Sequence, residues 1–275
     1  MPGKEGKIKM QIGAQLYTVH NHTKTLEGLS ESLRKVAELG YKSVQVSGTC
    51  PYEPEWLRDE LKKNGLECVV THVPAMRLIE EGADKVVADH AVFGCKNIGI
   101  GMMPCLVGDD TWTEENYKEF CDKFIPIAKR MKELGAVLHY HNHYQEFQGI
   151  FAEKNLLDRM LEDFPEGSLE ITLDLGWAAW AGQDIEKLIA KYDGYISRIH
   201  LKDYFDEIPE GIVEERVYQR PVMEGKLPYE AYINALAKTN CEYMLVEMDS
   251  CYDEDEFECL RRSYENVVKI FPNTK

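Results

Sequence analysis

Four short clusters of histidines and carboxylates carry side chains that could bind a metal ion. The first spans residues 139–143, with the sequence His-Tyr-His-Asn-His, and Glu146 follows it. The others contain Asp174, the His-Leu-Lys-Asp segment at residues 200–203, and Glu247. A hard divalent cation prefers carboxylate oxygens with one or two imidazoles, gathered from separate segments. The residue types of the four clusters therefore predict one metal site.

Each cluster follows or completes an apolar run that suits a buried strand. The runs span residues 136–138, 169–173, 196–199 and 243–246. Parallel strands of a barrel end at one rim, so side chains at their carboxyl ends lie close together. Alternate residues of a strand face one side, so His139, His141 and His143 share a face. The clusters are thus placed at the ends of predicted strands five to eight.

A repeated order of helix, glycine and strand organises the chain. Helices are predicted at residues 27–39, 55–64, 80–93 and 114–134, each followed by a glycine and a strand, and later at 156–164, 185–192, 229–238 and 255–270. With a first strand at residues 8–17, these make eight strand–helix units. They predict an α/β fold, a single (β/α)8 TIM barrel in which residues 1–275 form one domain. A doubly wound open sheet is the alternative, disfavoured because no Gly-x-Gly-x-x-Gly turn follows the first strand.

Further polar residues are predicted to face the same rim. His72 ends the third strand, and Gln15 and Tyr17 lie on the first. Trp177 follows Asp174 closely, where it could pack between barrel and helix or form a wall against the apolar face of a ligand. Asp174 could likewise cap the helix that follows it. These residues extend the predicted site from one side of the barrel mouth to the other.

Composition limits the classes of partner. The 275-residue chain has a formal net charge of -16, which argues against nucleic acid and anionic membrane surfaces as partners because phosphate contacts need basic residues. No apolar run approaches the length of a membrane span, and the N-terminal residues do not resemble a secretory leader. Eight cysteines without a Cys-x-x-Cys pair predict reduced thiols and a cytoplasmic location. A homo-oligomer is compatible with the sequence.

These segments resemble the xylose isomerase-like TIM-barrel superfamily, which contains sugar isomerases, epimerases and inosose dehydratases. The resemblance covers nearly the whole chain and rests on residues 141–147, 174–184, 200–203, 224–228 and 246–249, in that order and spacing. It implies one divalent ion, most often Mn²⁺, with Co²⁺, Zn²⁺ or Mg²⁺ as alternatives. Asp174, His200 and Glu247 match the ligand positions of the sixth, seventh and eighth strands.

The fifth strand departs from the family pattern. Many epimerases of this group carry a metal-binding glutamate within the strand, where this chain has His139. Glu146 is the predicted fourth ligand, with His141 or His143 as the alternatives. The departure weakens the symmetric two-glutamate mechanism of the ketose epimerases and favours branches that act on keto-inositols or oxidised glycosides.

The resemblance implies an isomerase or epimerase that acts on a sugar or keto-sugar through a metal-stabilised enediolate. The predicted base is Glu247 or Glu146, with His72 or His143 as the second choice. Lys202 would neutralise developing negative charge. If a β-hydroxyl or a glycosidic oxygen leaves instead, the same intermediate gives a dehydratase or lyase.

The predicted substrate is a small carbohydrate. The predicted contacts to it are Gln15, Tyr17, His141, Trp177, Lys202 and Arg220. The loops after strands seven and eight are acidic and lack glycine, which favours an unphosphorylated substrate. Two other classes remain as rivals. An endonuclease IV-like DNA repair nuclease needs three metals and a basic surface, and an inactive barrel would serve only as a binding or partner subunit.

Overall fold

Eight parallel strands close into a barrel in the computed structural model, which describes residues 10–102, 112–151, 154–209, 218–252 and 254–272. The barrel strands are β1 (Gln11–Gln15), β2 (Ser43–Val46), β3 (Glu67–His72), β4 (Asn97–Ile100), β5 (Val137–His141), β6 (Leu169–Asp174), β7 (Arg198–Leu201) and β10 (Tyr243–Val246). Their order around the barrel is β1-β10-β7-β6-β5-β4-β3-β2. The predicted (β/α)8 barrel is confirmed, and β10 is its eighth strand.

Helices surround the barrel and follow the strands. They are α1 (Leu26–Glu38), α2 (Pro54–Asn64), α3 (Ala75–Glu80), α4 (Gly82–Val92), α5 (Glu114–Glu133), α6 (Leu156–Asp163), α7 (Leu175–Trp180), α8 (Ile185–Lys191), α9 (Tyr229–Leu236) and α10 (Glu256–Ile270). The glycines after four of them, Gly40, Gly65, Gly94 and Gly135, have positive φ angles. A residue without a Cβ adopts that conformation at no steric cost, so the predicted helix ends are confirmed.

Three local features differ from the predicted elements. The helix predicted at residues 80–93 is α4, which begins at Gly82 with φ +78°, and a separate helix that the sequence did not predict, α3, precedes it. Tyr17 lies in a 3-10 helix, Leu16–His22, rather than in the first strand, whose predicted start at residue 8 falls outside the described residues. A short helix, α7, begins directly after Asp174, because that carboxylate caps it.

The floor of the barrel is polar and well connected. His139, on β5, lies one layer below His141; its ring nitrogens are 3.3 Å from Asn97 Oδ1 and 3.3 Å from Thr172 Oγ1. Beneath it, Arg198 Nε donates to the Val69 carbonyl oxygen at 2.9 Å. Since these partners satisfy the His139 ring, the histidine belongs to the floor, and the residues above it face the open end.

An antiparallel hairpin that the sequence did not predict lies over one side of the barrel mouth. Its strands are β8 (Asp203–Phe205) and β9 (Tyr218–Arg220). The buried Asp203 carboxylate holds it in place by accepting four backbone N–H groups, from Tyr204, Met223, Gly225 and Leu227. A Cβ at Gly225 would lie 2.2 Å from Asp203 Oδ1, so that approach requires glycine. In the described residues no helix is both long and apolar enough to cross a membrane.

Candidate metal centre and substrate cavity

Four buried side chains from four neighbouring strands meet at the open end of the barrel. His141 ends β5, Asp174 ends β6, His200 lies on β7 and Glu247 directly follows β10. One ligand atom from each lies within 4.8 Å of the other three. His200 Nδ1 is 2.8 Å from Glu247 Oε2, and His141 Nε2 is 3.4 Å from Asp174 Oδ2. We call these four residues the metal-site group.

The donor atoms of this group suit a divalent cation. Ligands at about 2.1 Å from one ion lie at most about 4.2 Å apart, close to the separations seen here. His200 Nδ1 and Glu247 Oε2 are buried, and neither has a hydrogen bond of normal geometry within the described chain. Buried polar atoms are rarely left without partners unless something else satisfies them. A bound cation would satisfy both.

Outer hydrogen bonds orient both histidine rings toward the centre of the group. His141 Nδ1 is 3.0 Å from the Gly101 carbonyl oxygen, which can only accept a hydrogen bond, so Nδ1 carries the proton. The lone pair of Nε2 is then available to bind a metal ion. His200 Nε2 is 2.6 Å from Gln45 Oε1, which leaves Nδ1 facing the carboxylates. Such partners fix the tautomer and the orientation of metal-binding imidazoles. Gln45, on β2, is a residue that sequence reasoning missed.

We expect the Gln45→Leu variant to bind Mn²⁺ about 10- to 100-fold more weakly than the wild type, because His200 loses the acceptor that fixes its ring. Titration calorimetry on chelator-treated protein measures this. Gln183→Leu, which removes an amide that donates to the Ala181 carbonyl oxygen, is the matched control. Equal affinity in the Gln45→Leu variant and the wild type would show that Gln45 does not support the metal site.

Asp174 has two separate functions in the structure. Its Oδ1 accepts the backbone N–H of Trp177 at 2.8 Å and caps α7, while Oδ2 faces His141 and His200. Its own backbone N–H donates to Asn142 Oδ1 at 2.9 Å. The helix-cap interpretation and the metal interpretation of the sequence are therefore compatible. The cap and the Asn142 contact hold the carboxylate in one orientation.

Lys202 places a buried ammonium group against the same carboxylates. Its Nζ lies 3.2 Å from Asp174 Oδ2, 3.1 Å from Glu247 Oε2 and 2.7 Å from Asp249 Oδ2. Burial opposes the charge, but the three carboxylates outweigh it and raise the pKa of Lys202 above its ordinary value. One ammonium faces three carboxylates, so the site carries excess negative charge that a divalent cation would neutralise.

Glu146, the first choice for the strand-five ligand, lies outside the metal-site group. Its Oε1 accepts hydrogen bonds from Trp112 Nε1 at 3.2 Å and from the Tyr140 hydroxyl at 2.7 Å. Its Oε2 accepts the backbone N–H of His143 at 2.7 Å. The group instead contains His141, which the sequence offered as an alternative. The Glu146 carboxylate holds together the loop that follows β5.

Replacing Glu146 by Ala is expected to lower the free energy of unfolding by about 2–3 kcal/mol, since three donors lose their acceptor. The number of Mn²⁺ ions bound per chain is expected to stay unchanged. Chemical denaturation and metal titration measure the two quantities. A variant of wild-type stability that no longer binds metal would instead identify Glu146 as a ligand.

A cavity of about 880 Å³ opens above the metal-site group. Of the predicted site residues, it is lined by Tyr17, His72, His141, His143, Trp177 and Glu247. Gln15 lies beneath it, with its Oε1 accepting from the Tyr17 backbone N–H at 3.1 Å. Asp249 and Gln219 also line the cavity and were not predicted. Gln219 could not be predicted because the short strands of its hairpin show no helix or strand pattern in the sequence.

His72 presents an imidazole toward the metal-site group. Its ring centroid lies 5.3 Å from that of His141 and 5.8 Å from that of His200, and its buried Nε2 lacks a hydrogen-bond partner among the described residues. Burial and the neighbouring His141 hold its pKa well below the ordinary value, so the ring is neutral. A Cβ at Gly101 would lie 2.4 Å from His72 Nδ1, so glycine there leaves room for the ring.

His143 and Trp177 form the opposite wall. Burial, followed by the charges of His141 and Lys202, lowers the pKa of His143 to about 3, so this ring is also neutral. Its centroid is 5.8 Å from that of Trp177, whose Nε1 is buried without a partner in the described structure. Lys202 Nζ lies 5.1 Å from the Trp177 ring centroid. The indole thus lines the cavity, and its contact with a ligand stays a prediction.

Arg220 is not brought into the cavity. It lies on β9, where its guanidinium bonds Glu254 at 2.5 Å and lies 3.7 Å from Glu224. The alternation of side chains along β9 turns its neighbour Gln219 inward instead, and Gln219 Nε2 donates to Asp249 Oδ2 at 3.0 Å. The structure therefore does not support the substrate contact predicted for Arg220.

Comparison with known proteins identifies relatives across most of the chain. The sequence model of the xylose isomerase-like TIM barrel family matches residues 33–263. An inosose dehydratase from Clostridium perfringens is 22% identical over 245 residues, which cover 80% of this chain and 82% of that protein. The region that the family model matches includes all four residues of the metal-site group.

Solved structures share the fold at low sequence identity. A sugar phosphate isomerase/epimerase from Parabacteroides distasonis superposes with a TM-score of 0.74 at 20% identity, covering 97% of this chain and all of that one. A probable 3-DHS dehydratase from Bacillus anthracis gives a TM-score of 0.72 at 14% identity, covering 94% and 99% of the two chains. At such low identities the similarity establishes the barrel fold alone. The reaction must be inferred from the residues of the site.

Proposed function

Because the chain belongs to the xylose isomerase-like TIM barrel family, we propose that it is a metal-dependent enzyme that removes a proton next to the carbonyl group of a sugar or keto-sugar. One observation carries the proposal. Through His141 and Glu247 the metal-site group faces a cavity that the neutral imidazole of His72 also lines. The charged ammonium of Lys202 lies 3.1 Å from Glu247 and 2.7 Å from Asp249, which both line that cavity. These are the parts that proton abstraction beside a carbonyl requires.

The metal-site group would hold one divalent ion, with Mn²⁺ as the first choice. Two carboxylates and two imidazoles are borderline-hard donors that also suit Co²⁺ and Zn²⁺, and Mg²⁺ less well. When bound, such an ion supplies Lewis-acid stabilisation of negative charge on a substrate oxygen. The protein's part is to fix both rings through Gly101 and Gln45 and to fix Asp174 through Asn142.

His72 is the best-placed base of the four candidates. Glu146 is bonded on both oxygens outside the cavity, and Glu247 contacts His200 and Lys202 within the metal-site group. Among the described residues His72 Nε2 is buried without a hydrogen-bond partner, and the ring is neutral, so its lone pair is available to accept a proton. His143, neutral and on the opposite wall, is the second candidate, where it could return a proton or assist a leaving group.

Lys202 would stabilise the oxyanion that forms on the substrate. Its raised pKa keeps the ammonium charged, so it acts as a fixed positive charge rather than as a base. Asp249 and Gln219 bind each other at the cavity wall and present a carboxylate and an amide that suit sugar hydroxyls. These contacts support a hydroxyl-rich substrate.

The substrate is proposed to be unphosphorylated. Among the described residues, the cation that lines the cavity is Arg77 at the mouth, which pairs with Glu81 at 3.1 Å and Asp89 at 2.6 Å. Lys202 lies behind the lining residues Glu247 and Asp249, and three carboxylates surround it. Neither offers an uncompensated positive charge to a phosphate. Asp249, facing the cavity, would repel one.

Two outcomes of the proton abstraction have separate support. Return of the proton to the adjacent carbon or to the opposite face gives isomerisation or epimerisation, in keeping with the sugar phosphate isomerase/epimerase that shares the fold. Loss of a β-hydroxyl gives dehydration, which is supported by the inosose dehydratase relative and by a metal-site group whose strand-five member is His141 rather than a glutamate.

Nuclear magnetic resonance in D2O tests the proposal and separates these outcomes. Keto-inositols and keto-hexoses are incubated with chelator-treated protein and with Mn²⁺-reloaded protein. Deuterium at the carbon beside the carbonyl, seen only with metal, supports the proposed step. A product with the same number of oxygen atoms as the substrate indicates isomerisation or epimerisation, and loss of water indicates dehydration. Exchange that is equally fast without metal, or no exchange with any substrate, would contradict it.

A further inference from the structure

The cavity has two chemically different halves. The metal-site group lies on β5, β6, β7 and the end of β10, which are consecutive around the barrel. On the other side, across the mouth from β6 and β7, the loops after β2 and β3 contribute a surface of mostly apolar residues. We call this surface the apolar shelf; it consists of Cys50, Pro51, Tyr52, Val73, Pro74 and Ala75.

The apolar shelf is rigid in the structure. Two of its six residues are prolines, whose rings fix the backbone. The Val73 backbone N–H donates to the Gly99 carbonyl oxygen at 2.9 Å, and the Cys50 backbone N–H donates to the Thr23 carbonyl oxygen at 2.8 Å. The Tyr52 ring meets the Phe93 ring edge-on at a centroid distance of 6.4 Å. A surface held in this way is ready to receive a flat apolar group without reorganising.

The cavity is larger than the reacting sugar alone requires. Its volume of about 880 Å³ falls near the upper end of the range of about 300–1,000 Å³ typical of sites for drug-sized ligands, well beyond what a monosaccharide fills. A sugar held by Asp249, Gln219 and the metal-site group would leave the side toward β2 and β3 empty. Exposed Met102, at the mouth, extends the apolar surface outward.

The polar groups near the apolar shelf do not suit a second sugar. Ser47 Oγ lies 3.4 Å from His72 Nδ1, and Thr49 Oγ1 donates to the Cys50 carbonyl oxygen at 3.2 Å. Arg77 is paired with two carboxylates. Because these side chains already have partners, sugar hydroxyls buried here would compete for them, whereas an apolar ring would gain from burial.

We propose that the substrate is a keto-sugar that carries a ring-sized apolar substituent, an aryl group, and that the apolar shelf binds this substituent while the sugar faces the metal-site group. The inference rests on the proposed function for the identity of the reacting sugar. Selectivity for the substituent comes from Tyr52, Val73 and Ala75, which line that half of the cavity.

Titration calorimetry with unreactive glycosides tests the apolar shelf without any turnover. The probes are phenyl and methyl β-glycosides of glucose, galactose and xylose, compared as pairs with Mn²⁺-loaded protein. At least one phenyl glycoside is expected to bind 10-fold or more tightly than its methyl partner, since the phenyl ring buries more apolar surface. The Ala75→Trp variant, which fills the shelf, is expected to remove the preference.

A control variant makes the result decisive. Ala91→Trp, at an exposed position of α4, adds the same side chain away from the cavity and should keep the phenyl preference. Equal binding of every phenyl and methyl pair, no binding of any glycoside, or an unchanged preference in Ala75→Trp would overturn the inference. A phenyl preference in a protein that binds no metal would uphold the apolar shelf and reject the proposed reaction.

Discussion

Replacing Glu247 by Gln is expected to weaken Mn²⁺ binding by about 100-fold or more and to abolish metal-dependent proton exchange. Loss of an outer hydrogen-bond partner alone costs about 10- to 100-fold in metal affinity, and here a charged ligand is lost. The substitution keeps the shape of the side chain, which contacts His200 at 2.8 Å and Lys202 at 3.1 Å. Calorimetric titration of chelator-treated protein gives the affinity, and deuterium incorporation gives the activity.

The Asp174→Asn variant tests a second ligand of the same metal site. Asparagine can still accept the Trp177 N–H through its side-chain oxygen, so the cap of α7 remains while the ligand charge is lost. Glu258→Gln, on the exposed face of α10, is the control and should bind metal like the wild type. If both site variants kept full metal affinity and a normal circular dichroism spectrum, the metal-site group would not be the metal site.

The Lys202→Met variant is expected to make the metal-free protein less stable by about 3–5 kcal/mol, because three carboxylates lose the one ammonium that balances them. Adding Mn²⁺ should raise its melting temperature by more than it raises that of the wild type, since the cation then replaces the lost charge. Activity should remain lost, because the stabilising charge beside the substrate is gone. Differential scanning calorimetry with chelator and with Mn²⁺ measures both shifts.

Lys187→Met is the control for this variant, since Lys187 is exposed and pairs with neighbouring Asp184 on the surface. It should leave stability and the metal-induced shift unchanged. A Lys202→Met protein that is as stable as the wild type in chelator, or that gains less from Mn²⁺, would show that Lys202 does not compensate the carboxylates of the metal-site group.

The barrel could be predicted because its signals are local and repeated. Glycine after a helix is a conformational requirement, and the four glycines with positive φ occupy the predicted positions. The four polar clusters could also be placed, because carboxyl ends of parallel strands share one rim. Asp174, His200 and Glu247 come together for that reason. The register of β6 against β7, for example, places Asp174 directly beside His200.

The strand-five residue could not be chosen from the sequence. His141, His143 and Glu146 are separated by only a few residues, and which one reaches the centre depends on where the strand ends and how the next loop turns. The structure ends β5 at His141 and turns Glu146 back toward Trp112 and Tyr140. A loop residue's partners come from distant segments, which local patterns do not encode.

The hairpin residues were unpredictable for a related reason. Strands of three residues give no periodicity, so Gln219 and Arg220 could not be assigned to opposite faces of β9. Gln45, on β2, has no feature in the sequence that distinguishes it from other polar strand residues. Its contact with His200 depends on the packing of distant strands. Asp249, two residues beyond Glu247, could have been found from its place at the end of the eighth barrel strand.

The metal content of protein purified without chelator, measured by elemental mass spectrometry, tests the central claim most directly. We expect one divalent ion per chain, because the described residues contain one group of metal-binding side chains of this kind. Three zinc ions per chain would contradict the proposed sugar chemistry and direct attention to nucleic acid. No ion, even after Mn²⁺ is added back, would contradict a metal-dependent reaction and leave a binding or partner role for the barrel.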